Sequence, residues 1–437
     1  LDHPNVSTKY IPQVEEEEIM VPPSKVRRNA RASGKRRASE CQANKLEPLP
    51  TSNPTALSTI SVELQQKMLN VFRDAFSSRM NQEFPQLLQA VKMHLFNRQF
   101  QKAFEGEALL ETYAFRWSPS RALAYVEILS TIPPLPDRLG RSSNDTITEA
   151  GQGLASTIDS TTLLSSNATA DGRLETEQQS QPSPPNDPDE EFGIVCLGGG
   201  SGAELVALAG YLRWIGSAHH QSPTKLNDQK KSIRLKINIV DIADWSNVIR
   251  MLHCGVTTSP PISKYASTAA KANNTALTDA DNFRVHFQHC DILNLSLDEL
   301  KSVFREVKLV TVMFTLNELY STSIPATTSL LLSMTSILTP GALLLVVDSP
   351  GSYSTINVGQ PTGENDTPAP KKYPMQWLLD HTLLESASVV CGDTREQEKR
   401  WEKVHSQDSN WFRLADELMY PFDLEDMRYQ IHLYERK

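Results

Sequence analysis

Cysteine is scarce and scattered. The five cysteines, Cys41, Cys196, Cys254, Cys290 and Cys391, form no C-x-x-C pair, which excludes a disulfide framework and a zinc module and points to a reducing compartment. Long apolar runs are missing as well. No stretch approaches about 18 consecutive apolar residues, and no short apolar core follows the N-terminus, so neither a membrane span nor a secretion signal is expected. The chain begins at Leu1 instead of methionine, which suggests a fragment whose upstream targeting signal would be invisible. Apolar residues make up only 39% of the 437 residues, below the globular norm, and the deficit lies in tracts too polar to offset their ordering entropy. One folded domain with long polar insertions is therefore expected in preference to two domains.

A basic excess is also lacking. The net charge of -9 does not suggest a nucleic-acid binder, although an overall charge can hide a local patch. Such a patch exists: Lys25, Arg27, Arg28, Arg31, Lys35, Arg36 and Arg37 follow directly on the acids Glu15 to Glu18. It reads equally as a solvated tail, a nuclear or nucleolar address, or an RNA-tethering arm.

The chain divides by texture. Residues 1–58 mix Pro, Ser, Glu and Lys/Arg without apolar periodicity and read as a disordered basic leader. Residues 59–135 form an N-terminal helical region, with Leu64, Met68, Val71, Phe72 and Phe76 at helical spacing and Phe84, Leu87, Leu88, Val91 and Leu95 repeating the pattern. Ser118-Pro119 reads as a helix start, a hydroxyl cap followed by a proline where no N–H is needed. Residues 136–190 are rich in Ser, Thr, Gln, Pro and Asp and read as a disordered insertion.

From 191 to 437 short apolar runs alternate with helical patterns, the sequence form of a Rossmann-like α/β core. Strands are expected at Gly193–Leu197, Ile233–Val240, Phe283–Gln288, Leu309–Phe314 and Ala342–Asp348, with helices beginning near Ser201, Trp245, Leu297 and Ile324. Continuous runs such as Leu343 to Val347 suit parallel strands buried on both faces. Met427 to Arg436 alternates as a final antiparallel strand.

The chemistry gathers at the strand ends. Ile194 to Leu197 leads into Gly198-Gly199-Gly200-Ser201-Gly202, and Ala203-Glu204-Leu205 opens a helix. Glycines suit a turn with unusual backbone angles and the close approach of a nucleotide to the main chain. Gly198, Gly200 and Gly202 fit the G-x-G-x-G of S-adenosylmethionine (SAM) enzymes, but Gly198, Gly200 and Ala203 fit the G-x-G-x-x-A of dinucleotide enzymes equally well. The loop alone does not decide. Asp241, at the end of the second strand, is the preferred ribose ligand, with Asp244 as runner-up or simple helix cap. After the third strand, Asp291 is placed to accept the adenine amino group and Ile292 to cover the ring. His286, His289 and Cys290 invite a metal reading, but their strand alternation suits packing better, and no metal is expected.

After the fourth strand, Asn317 and Glu318 are the candidates facing the reacting group, with ordinary turn formation as the alternative. Asp348 to Tyr353 forms a polar turn for the opposite wall. Arg116, Trp117, Arg121, Lys371, Lys372, Tyr373, Trp377, Trp411 and Arg413 are of the stacking and phosphate-binding types that RNA needs; two or three are expected to touch substrate and the rest to pack.

Taken together, Arg116-Trp117-Ser118-Pro119-Ser120-Arg121, the loop from Cys196 to Glu204, Asp241-Ile242-Ala243-Asp244-Trp245, Thr315 to Leu319, Asp348 to Tyr353 and Arg428 to Tyr434 resemble the fungal SAM-dependent methyltransferases that include the large-subunit (25S) rRNA uridine-N3 methyltransferases. The resemblance implies a class I methyltransferase fold with a mostly parallel seven-stranded sheet, SAM as donor, and methylation of uridine N3. It also implies large-subunit rRNA or a pre-ribosomal particle as partner, and a nuclear or nucleolar location with the cytoplasm as alternative. On that reading Glu318 or Asp348 is the general base, and Asn317 and Tyr353 bond the base edge, with Arg116 and Trp117 also on the substrate. Leu319-Tyr320 stands where many amino-directed N-methyltransferases carry Pro-Pro-aromatic, so that mechanism lacks its motif. A catalytically silent RNA-binding assembly factor and an NAD-dependent oxidoreductase are the competing classes.

Overall fold

Seven strands build one sheet: β1 (Glu191–Leu197), β2 (Arg234–Asp241), β3 (Phe283–His289), β4 (Val307–Met313), β5 (Leu343–Asp348), β6 (Trp401–Phe412) and β7 (Met427–Arg436). Their order is β3-β2-β1-β4-β5-β7-β6, and only β7 runs antiparallel to its neighbours. The chain leaves β1 toward β2 and β3 and then crosses back to β4, so the strand order reverses at β1. The crevice at that reversal is where open α/β sheets bind ligands. The computed structural model describes residues 58–133, 135, 191–218, 233–351, 355–358, 371–387, 389–390 and 397–437. The expected leader, apart from residue 58, and the expected insertion 136–190 lie outside the described residues, as do the basic patch Lys25 to Arg37 and Tyr353.

Two helical layers cover the sheet. On one face α1 (Val62–Ala75), α2 (Phe84–Phe96), α3 (Glu107–Thr131), α4 (Ala203–Ala218) and α5 (Ser246–Thr257) share a hydrophobic cluster with Ile194, Ile237, Leu345 and Ile431. On the other face α6 (Leu297–Val303), α7 (Leu316–Thr322), α8 (Ile324–Ile337) and α9 (Met375–Asp380) pack with Val195, Val310, Leu344 and Tyr434. Burial on both faces is what continuous apolar strands require. The helices of 59–135 thus lie in the same core as the sheet, within one compact unit from Leu57 to Lys437. Among the described residues no helix is long and apolar enough to cross a membrane.

The expected strands appear within a few residues of their places, β7 included. β6 was not expected. Its sequence is polar along most of its length and carries register shifts between Lys403 and His405 and between Gln407 and Asn410. An edge strand of this kind has one partner and little to bury, so it leaves no apolar signature.

The helix start expected at Ser118-Pro119 is corrected by the structure: α3 runs unbroken through Pro119. Proline removes the N–H that would otherwise bond the carbonyl four residues back, that of Phe115. The Tyr420 hydroxyl supplies the missing donor, bonding the Phe115 carbonyl at 2.8 Å. Ser118 is no cap either, since its hydroxyl donates to the Ser201 carbonyl at 2.8 Å and ties α3 to the glycine loop. Tyr420→Phe should therefore cost about 1–3 kcal/mol, seen as a lower urea midpoint with an unchanged slope. A wild-type midpoint would mean that packing alone carries the helix through Pro119.

Candidate active site

The glycine loop occupies the reversal point at the carboxyl end of β1. Gly198 and Gly202 have φ of 75° and 80°, a region that side chains rarely enter. Gly200 is needed for a different reason, because a Cβ there would lie 2.0 Å from Cδ1 of Trp245. The crowding comes from the protein's own packing, which the sequence reading had assigned to the approaching nucleotide alone. The loop is stapled to β2: Gly198 N–H bonds the Val240 carbonyl at 2.8 Å, and Gly200 N–H bonds Asp241 Oδ2 at 3.0 Å. Asp241 Oδ1 accepts from the Ala243 amide at 3.1 Å. Burial raises the Asp241 carboxyl above its ordinary value against the lowering effect of these amides.

Asp244, the alternative to Asp241, is exposed and accepts from the Ser246 amide at 3.2 Å, as a helix-start residue does. Asp291 accepts from the Leu293 amide at 3.0 Å and the Asn294 side chain at 2.7 Å, so it shapes the turn after β3. Ile292 behind it is buried. His286 contacts Asn238, and His289 contacts the Ile242 carbonyl. No cluster that could hold a metal ion occurs among the described residues.

β4 is followed by Phe314, whose φ of 58° turns the chain sharply into α7. Its amide is fixed by the Val347 carbonyl at 2.7 Å, and its ring lies under the Arg121 guanidinium at 5.4 Å. α7 then begins against β5: Asp348 Oδ2 accepts from the Asn317 amide at 3.1 Å and Oδ1 from the Ser349 amide at 2.8 Å. Asp348 is 3% exposed. Burial pushes its carboxyl up to about 6, and the nearby Glu318 charge adds to the rise. Glu318 is half-buried and also raised by burial, with Arg98 partly offsetting the rise. The structure thus brings Asn317, Glu318 and Asp348 together at the ends of β4 and β5, beside the glycine loop of β1.

Arg116 and Trp117 have partners within the fold. Arg116 pairs with Glu425 at 2.5 Å, with only 11% of its side chain exposed. Trp117 packs on Tyr113, Tyr113 on Trp245, and Trp245 against Gly200. An aromatic relay therefore runs from α3 to the loop. Glu204 was missed in the sequence. It is buried on the first turn of α4 and accepts a hydrogen bond from the Thr311 hydroxyl. Burial, with the Asp241 charge, pushes its carboxyl up to about 8. An acid at a helix start looks ordinary in sequence because the helix dipole favours it there.

A family model described as "Putative SAM-dependent methyltransferase" matches residues 72–435. The chain belongs to this family. The match decides between the two cofactors that the glycine loop fits, in favour of SAM. The sheet, with β7 alone antiparallel, has the class I methyltransferase order. Among curated proteins the chain is 28% identical over 402 residues, 89% of each, to the 25S rRNA (uridine(2843)-N(3))-methyltransferase of Saccharomyces cerevisiae. Among solved structures it is similar to a SAM-dependent methyltransferase from Methanosarcina mazei, with 13% identity, a TM-score of 0.31, and coverage of 56% of this chain and 93% of that one. It is also similar to the N-methyltransferase NodS of Bradyrhizobium japonicum in complex with S-adenosyl-L-homocysteine, with 10% identity, a TM-score of 0.25, and coverage of 56% and 78%.

The residues present fit the donor of this methyltransferase family. The Asp241 oxygens accept the Gly200 and Ala243 amides, which sets a carboxylate at the strand end where such folds hold a ribose hydroxyl. The loop also delivers the N-terminus of α4 to the same edge.

Proposed function

We propose that this methyltransferase methylates N3 of a uridine in large-subunit rRNA. The acceptor is carried by one observation, the similarity along 89% of the chain to an enzyme of that printed activity. Bound SAM supplies an electrophilic methyl group. This chain's residues then have three tasks. Gly198, Gly199, Gly200 and Gly202 with Asp241 hold the donor, and Asp291 and Ile292 border its adenine end. Asp348 positions α7 through the Asn317 and Ser349 amides. Glu318, which has no side-chain hydrogen bond among the described residues, takes the N3 proton as general base. Asn317 meets the base edge. Trp117 acts by seating α3 on the loop and Arg116 by tying α3 to Glu425 ahead of β7.

On the same reading residues 59–135 cap the glycine loop and residues 191–437 form the catalytic core, with 1–58 as leader and 136–190 as insertion. The acceptor implies work in the nucleus or nucleolus, with Lys25 to Arg37 as a candidate address. The test is nucleoside mass spectrometry of large-subunit rRNA from cells lacking the protein. One 3-methyluridine should disappear, and wild-type protein should restore it. Asp241→Ala should not restore it, because losing the Gly200 staple and the carboxylate at the loop's edge lowers SAM affinity at least about tenfold by calorimetry. Unchanged methylation in the deletion would overturn the assignment.

A further inference from the structure

Two tryptophans are exposed among the described residues, Trp377 and Trp411, each 47%. Trp411 is near the carboxyl end of β6 and in register with Arg428 of β7. The Arg413 guanidinium lies 4.0 Å from its ring centre and that of Arg428 5.8 Å. Phe412 and Tyr429, the next residues along each strand, are buried in the cluster of α1 to α5. Side chains alternate along strands, so Trp411 and Arg428 project from the other face, which carries α7 and α9. Two residues along β7 from Arg428, Gln430 is in register with Asp348 and donates to the Ser349 carbonyl at 2.7 Å. The Trp411 cluster therefore sits on the acceptor half of the sheet's carboxyl edge, on strands that continue from Asp348. α9 lies on the same face. Trp377 stacks between Tyr373 at 4.7 Å and His381 at 5.3 Å. Gln376 beside it, with its amide oriented to satisfy both ends, bonds Asp408 and Lys403 of β6.

We propose that this face docks the single-stranded RNA flanking the target nucleotide, with a base stacked at Trp411 and its phosphates held by Arg428 and Arg413. The proposal rests on the RNA-methyltransferase reading and deepens it. Guanidinium groups beside an exposed indole match the two halves of a nucleotide, a π-face and a phosphate. Asp426 pairs with Arg413, whereas Arg428 has no acidic partner among the described residues and bonds only Ser409 at 3.0 Å. In a chain of net charge -9 the paired guanidiniums make a local attraction for polyanions.

The test uses the full chain, undermethylated rRNA from the deletion strain as substrate, and a labelled oligouridylate for binding. Trp411→Ala should raise KM for rRNA at least about tenfold, with kcat within about twofold, and with SAM affinity and melting temperature as in wild type. Trp411→Phe should recover most of the loss. Arg428→Ala should weaken oligouridylate binding and reduce its salt slope by about one. Wild-type KM in both alanine variants would overturn the docking surface while leaving the methyltransferase reading intact. So would loss of binding to an acidic protein with rRNA kinetics unchanged. A wild-type protein that methylates no rRNA would overturn the reading itself, and the docking surface with it.

Discussion

Glu318→Gln should lower kcat by about 10²- to 10⁴-fold, with SAM affinity and KM for rRNA close to wild type. The substitution keeps the shape of the side chain and removes only its capacity to take a proton. Glu318 is better suited to that task than Asp348. Asp348 is 3% exposed and both of its oxygens are occupied by backbone amides. Glu318 is half-buried, raised by burial, and among the described residues has no side-chain hydrogen bond to break before it acts. A base works when deprotonated, so the activity should rise with pH through the raised Glu318 value, on a limb displaced above the usual carboxylate range. Single-turnover rates with labelled SAM from about pH 5 to pH 9 would show this limb in wild type and its loss in Glu318→Gln. Asp348→Asn should act differently, lowering both melting temperature and kcat because it loosens the start of α7. Full turnover in Glu318→Gln together with collapse in Asp348→Asn would reverse the two roles.

What was legible in the sequence follows from range. Leu343 to Val347 announces a strand buried on both faces, and the glycine loop between strand and helix announces a phosphate or nucleotide turn. Both signals are local. Strand ends in this architecture converge on one edge, which singles out Asp241 as a ribose ligand; that its carboxylate also holds the Gly200 amide was not legible. Features with distant partners were not legible. α3 passes through Pro119 with the Phe115 carbonyl completed by Tyr420, 305 residues beyond Phe115. Trp245 crowds Gly200 from the following strand-to-helix connection. Arg116, which by type suits phosphate, is held by Glu425. Asp291, expected to meet adenine, uses its oxygens to shape its own turn. For Pro119, Gly200 and Arg116 the partner is distant in sequence, whereas the partners of Asp291 lie two and three residues on.

The same principle makes Glu204→Gln the largest expected effect on stability. Glu204 is 4% exposed, it accepts from Thr311, and a Cβ on Gly199 would lie 2.5 Å from its Oε2. Its carboxyl is therefore packed directly beneath the glycine loop. Burial raises it from 4.5 to about 8, so at neutral pH it is protonated in the folded protein and ionised in the unfolded chain. Between those values the folded state binds the extra proton, and stability must fall as pH rises. The contribution is fully present below about pH 4.5 and lost above about pH 8. Glutamine has nearly the same shape, can accept from Thr311, and carries no charge at any pH. Glu204→Gln should match wild type near pH 4 and exceed it by roughly 3–5 kcal/mol near pH 9, measured by urea unfolding at several pH values. A gap of constant size across that range would show that packing of the amide, and not the buried proton, sets the difference. A gap that widened toward low pH would mean that Glu204 is ionised in the folded protein.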